Sequence, residues 1–176
     1  AGLVKGASKG EGLGNKFLSH IREVDAIIHL VRCFDSDKIT HVNSKINPVE
    51  DLETIKTEII LSDIDVIQKK LDKGKKKLLD EKEIKILEEN LKQLNQGNEI
   101  KTSDEKENKF LSSLGLLSLK PKIIVCNVDE ESLSKGNSYT ESIKNKHPNK
   151  KIVTICADIE DQIMGLDKNE REIFMK

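Results

Sequence analysis

The sequence predicts an α/β protein in which a small sheet of parallel strands is interrupted by a long helical insertion. Three observations lead there. Short apolar runs at Ala26–Cys33, Lys122–Val128 and Ile152–Ala157 each have the length and β-branched content of a buried strand. More than eighty residues separate the first two runs, and most of them carry apolar side chains at spacings of three and four. The second and third runs are separated by a segment with helical character near Ser138–Lys146, the arrangement of a parallel crossover.

In chain order, the first seventeen residues hold five of the ten glycines, at Gly2, Gly6, Gly10, Gly12 and Gly14. Backbone without Cβ atoms can turn its N–H groups onto an anionic ligand, although a flexible linker shares this composition. Leu13, Phe17, Ile21 and Val24 then follow at helical spacing, leading into the first strand. A polar connection with His41 ends at Asn47-Pro48-Val49-Glu50, which combines a capping asparagine, a proline at the first helical position and a glutamate three residues after the cap.

The helix begun there carries Leu52, Ile55 and Ile59, then Ile60, Ile64, Ile67 and Leu71. Its pattern pauses at Lys73–Lys77 and resumes with Ile84, Leu87, Leu91 and Leu94 before Gly97, which reads as an antiparallel hairpin or short coiled coil. Thr102 with Glu105 reads as a capping box for a helix through Phe110, Leu111, Leu114 and Leu117, which Pro121 closes off. After the third strand, Ile159, Ile163 and Leu166 give residues 158–176 the spacing of a helix expected to cover the sheet.

Charged residues make up 35% of the chain and aromatics 3%, so much of it is solvated helix around a largely aliphatic core. Thirty basic against thirty-one acidic residues leave a formal charge of −1, which gives the chain as a whole no nucleic-acid footprint. One basic patch stands out, Lys69, Lys70, Lys73, Lys75, Lys76 and Lys77 at the hairpin end, and it reads equally as a solvated tip or as a contact for RNA phosphates. No apolar run is long enough to cross a bilayer and no signal peptide is recognisable, so a cytoplasmic location is expected. Cys33, Cys126 and Cys156 lack metal-site spacing and each ends a strand; they read as small hydrophobes, with redox-active thiols at the sheet edge as the alternative.

The string AGLVKGASKGEGLGNKFL followed by IREVDAIIHLVRCF resembles the switch II region of a P-loop NTPase, and specifically that of the YchF/Obg-like ATPase family. The resemblance runs along essentially the whole chain. It implies that these residues are a central piece of a longer protein, beginning at the Ala of the family's Asp-X-Ala-Gly. The Mg²⁺-binding aspartate, the Walker A loop and the C-terminal TGS domain would lie outside it, and the piece alone would be inactive. The implied domains are the first part of the NTPase at residues 1–47, a helical coiled-coil insertion at 48–118 and the second part of the NTPase at 119–176.

The same resemblance implies site residues. Ala1, Gly2, Leu3, Val4 and Gly6 correspond to switch II. Asn127-Val128-Asp129-Glu130 stands where GTPases carry Asn-Lys-X-Asp, so Asn127, Val128 and Glu130 would read the base. Cys156, Ala157 and Asp158 correspond to the Ser-Ala-Lys element along the base, departing from it at two of three residues. A carboxylate that pairs with guanine's two donors is mismatched to the acceptor nitrogen of adenine, so replacing the motif's final aspartate with Glu130 points to relaxed or adenine-preferring recognition.

Leu3 stands where a Ras-like enzyme has its water-orienting glutamine and has no group to orient water. His41, matching a histidine of the family, is the candidate catalytic residue, with an ordinary loop histidine as the alternative. The implied ligands are ATP and Mg²⁺, with no metal site within these residues, and the implied partner is the ribosome or its RNA. Two other readings stay open: a non-enzymatic helical binding module on a truncated sheet, and a GTP-preferring Obg-type GTPase.

Overall fold

The computed structural model describes residues 13–36, 45–74 and 79–174. The glycine-rich opening with Ala1–Gly6, the candidate His41, and Lys75–Lys77 lie outside the described residues. In chain order the elements are α1 (Leu13–Arg22), β1 (Ile27–Arg32), α2 (Pro48–Gly74), α3 (Glu81–Asn95), α4 (Glu105–Ser113), β2 (Lys122–Asn127), α5 (Glu130–Lys135), α6 (Ser138–Lys146), β3 (Lys151–Ile155), α7 (Ala157–Gly165) and α8 (Lys168–Phe174). The chain divides into two compact units, one formed by Ala1–Ile27 with Glu53–Pro121 and the other by Ile28–Leu52 with Lys122–Lys176.

The sheet has the order β1-β2-β3. β2 and β3 are parallel, in a register that sets Ile124 against Ile152 and Asn127 against Ile155. At the two ends of β1, Ile27 N–H donates to Pro121 O (2.9 Å) and Cys33 N–H to Asn127 O (2.7 Å), so the two strands advance together and are parallel as well. One sheet face, with Val31, Cys33, Ile124, Cys126 and Val128, forms a core with Leu52 and Ile143. Ile28 and Leu30 of β1 and Val153 of β3, on the alternate positions, are exposed. The covering expected of residues 158–176 is only partial: no residue of α7 is buried, and Ile159, Ile163 and Leu166 are half-buried. That segment also forms two helices, because Asp167 and Glu170 make a reciprocal cap that starts α8.

The other unit is a helical cluster. Ile60, Ile67 and Leu71 of α2, Leu87 and Leu94 of α3, Leu111 of α4, and Ile100 and Leu116 share one aliphatic core, the outcome expected of apolar tracks at spacings of three and four. Asn47 caps α2 as its position predicts, its Oδ1 accepting from Glu50 N–H at 3.2 Å, while its Nδ2 donates to Glu50 Oε2 at 3.1 Å. The expected Thr102–Glu105 cap is not the one used. Asp104 is the N-cap of α4 and accepts from Glu107 N–H at 2.8 Å, while Thr102 Oγ1 accepts from Asp104 N–H. An aspartate two residues later provides the better acceptor, and the hydroxyl stabilises the turn before it.

Between α1, α2 and the turn after α4 lies a polar junction. Asp63 is fully buried; its carboxylate accepts from Leu117 N–H (2.9 Å), Ser118 N–H (2.7 Å) and the Ser118 hydroxyl (2.7 Å), and it pairs with Arg22 at 3.3 Å. Arg22 also donates to Gly115 O at 2.6 Å and to the backbone and hydroxyl oxygens of Ser62. Gly115 has φ 68°, a conformation glycine adopts without strain, and its carbonyl is the one that meets Arg22 of α1.

Candidate nucleotide site

Three parallel strands deliver their carboxyl ends to one edge, where ligands of such sheets bind. β2 ends at Asn127, and the next residue, Val128, is buried and donates to Ile155 O at 2.9 Å, holding the two strand ends together. Asp129 is then consumed by local structure. Its carboxylate caps α5 by accepting from Ser132 N–H at 2.8 Å, and bonding to the Ser132 side chain and N–H holds it below the usual carboxylate range. Glu130 is the first residue of α5 and is exposed.

Across from this turn, Cys156 is buried as the N-cap residue of α7, without a side-chain cap, and Ala157 and Asp158 open the helix. Ala157 N–H donates to Asn127 Oδ1 at 2.9 Å, so the two motif elements meet through one hydrogen bond. Asp158 turns along its own helix, accepting from Gln162 at 3.1 Å. The structure thus joins Asn127 to Ala157, keeps Val128 and Cys156 as buried supports, and leaves Glu130 and Asp158 on the surface.

Sequence reasoning missed the support at the end of β1. Asn137, the N-cap of α6, donates through Nδ2 to Cys33 O at 2.7 Å, and Tyr139 donates to Asp35 at 2.9 Å. Arg32 bonds the carbonyls of Phe34 (3.0 Å) and Ser36 (3.1 Å). Residues 33–36, which lead towards His41, are thereby fixed at several points. The available signal was the Asn-x-x-Thr spacing of the α6 cap. The three thiols are free and buried; a hydrogen bond between the Cys33 and Cys126 side chains, reinforced by burial, pushes the Cys33 thiol up, which suits small buried hydrophobes.

No family model matches the chain. Among curated proteins, the ribosome-binding ATPase YchF of Bacillus subtilis is 40% identical over 187 residues, covering 100% of this chain and 51% of that protein. The protein of the same name from Mycoplasma genitalium is 43% identical over 190 residues, covering 99% of this chain and 51% of its own length. The chain belongs to the YchF family. It spans about half the length of the curated relatives it matches. Among solved structures, that of the Schizosaccharomyces pombe YchF GTPase superposes with a TM-score of 0.80 at 29% identity, covering 92% of this chain and 48% of that one. The small sheet and its helices are therefore those of a YchF-type P-loop NTPase.

Proposed function

We propose that the whole protein binds and hydrolyses ATP and acts on the ribosome. Residues 1–47 and 119–176 form parts of its NTPase domain and 48–118 form a helical coiled-coil insertion. The observation that carries this reading is the Asn127–Ala157 bond, which brings the two base-reading elements to one strand edge in a chain related along its length to proteins named as ribosome-binding ATPases.

Asn127 holds the purine ring nitrogen, the main chain near Val128 meets the base, and Cys156, Ala157 and Asp158 flank it. Glu130, one methylene longer than the aspartate of a GTPase motif, pairs poorly with guanine's donors. The described residues offer no cluster of three or more His, Cys, Asp or Glu side chains to hold a metal. Bound with the nucleotide, Mg²⁺ supplies charge neutralisation at the phosphates.

His41 orients the attacking water, since Leu3 lacks a hydrogen-bonding group, and Ala1–Gly6 serve as switch II. In the full-length protein His41→Ala should lower kcat for ATP by roughly a hundredfold while leaving nucleotide affinity nearly unchanged. Unaltered turnover removes His41 from the mechanism, and a full-length protein that hydrolyses no ATP removes the enzymatic reading. These 176 residues alone are inactive, and the whole protein works in the cytoplasm. No helix among the described residues is long and apolar enough to cross a membrane.

Ribosome contact is assigned to the lysines around the end of α2, of which Lys69 and Lys73 are exposed. Binding through phosphates weakens as salt rises. Association with ribosomes that did not respond to salt would exclude these lysines.

A further inference from the structure

The bond between Ala157 N–H and Asn127 Oδ1 fixes more than the distance between two loops. An N–H group can only donate, so the Asn127 atom facing it is the oxygen, and the amide's Nδ2 is turned to the other side. Asn127 is half-buried and Ala157 exposed, so the pair presents an accessible polar edge. With Ala157 N–H engaged, that edge offers one donor, Nδ2, and one acceptor, the second lone pair of Oδ1. Adenine carries the complementary pair side by side, the N7 acceptor and the N6 amino donor, whereas a 6-oxo purine carries two acceptors, N7 and O6. Released from Asn127, the Ala157 N–H would be a second donor, and the edge would suit O6 instead.

We propose that the Ala157 N–H is a specificity determinant of the nucleotide site: by engaging Asn127 Oδ1 it sets the edge to a donor–acceptor pattern that selects 6-amino over 6-oxo purines. This rests on the assignment of Asn127 to the base, and it is independent of Glu130, which is assigned to the opposite, N1 side of the purine.

The experiment compares ATP with inosine triphosphate, which has O6 but lacks the 2-amino group of guanine, in equilibrium binding to the full-length protein. Asn127→Ala removes the donor to N7 from both nucleotides and the acceptor for N6 from ATP, and it frees Ala157 N–H for O6. Affinity for ATP should then fall about tenfold, and the ratio favouring ATP over inosine triphosphate should drop by roughly three- to tenfold.

Adding Ala157→Pro removes the freed donor and should restore part of the ratio, the remainder having gone with the Oδ1 acceptor that meets N6. Proline is accepted at the first position of a helix, and Cys156, at φ −115° and ψ 106°, already has the extended backbone that a residue before proline needs. A ratio unchanged by Asn127→Ala, or not raised again by Ala157→Pro, overturns the proposal. The unmodified protein supplies a check that needs no variant: 7-deaza-ATP, which lacks the N7 acceptor, should bind roughly tenfold more weakly than ATP, and equal binding also overturns it. A protein that binds neither ATP nor inosine triphosphate overturns the nucleotide reading itself, a different outcome from binding both with an unshifted ratio.

Discussion

The two compact units use buried polar groups in opposite ways. In the helical unit the polar junction faces inward: Asp63 is completely enclosed, each carboxylate oxygen is bonded, and Arg22 bridges to two further carbonyls. Among the described residues of the sheet unit the buried side chains are apolar or thiols apart from Thr140, and Asn127, Ala157 and Glu130, proposed above to recognise the ligand, stand at the carboxyl edge of the strands. The first arrangement secures one packing of three segments. The second leaves hydrogen-bonding capacity for a ligand. A buried carboxylate is therefore not by itself a sign of chemistry: Asp63 is among the most enclosed charges in the molecule, and its partners are all structural.

The largest expected effect breaks the inward junction. Asp63→Ala leaves two backbone donors and the Arg22 guanidinium without their acceptor, which should cost about 3–5 kcal/mol in urea unfolding of this chain. A loss below about 1 kcal/mol would mean that water or neighbouring groups replace the carboxylate. The contrast sharpens with apolar residues. Leu94→Ala, in the aliphatic core of the helical unit, should cost about 2–5 kcal/mol. Leu30→Ser, on the exposed face of β1, should change stability by no more than about 0.5 kcal/mol. Equal losses at the two positions would contradict the burial pattern.

What the sequence made legible follows the range of the interactions. Asn47-Pro48-Val49-Glu50 announces the start of α2 because every partner lies within three residues, and the strand runs stand out as apolar runs, although only one face of β1 and β2 is buried and no residue of β3 is. Asp104, three residues before Glu107, satisfies the same local rule as Thr102 before Glu105, and as the better acceptor it takes the cap. The short helix α5 was hidden inside the motif, since Asp129 serves as its cap while belonging to the four residues read for recognition. The Arg22–Asp63 pair spans 41 residues and the Asn127–Ala157 bond 30. No spacing rule reaches so far; the motif located both ends of the second, and only the fold showed that they touch.

The edge formed by the ends of β2 and β3 is proposed to read an adenine base. Competition binding of ATP and GTP to the full-length protein tests it most directly. Guanine donors left poorly paired by Glu130 cost about 1–3 kcal/mol, so ATP should bind better by up to about a hundredfold, and Val128→Lys with Glu130→Asp should return part of the affinity for GTP. A wild-type protein that preferred GTP tenfold would contradict the claim.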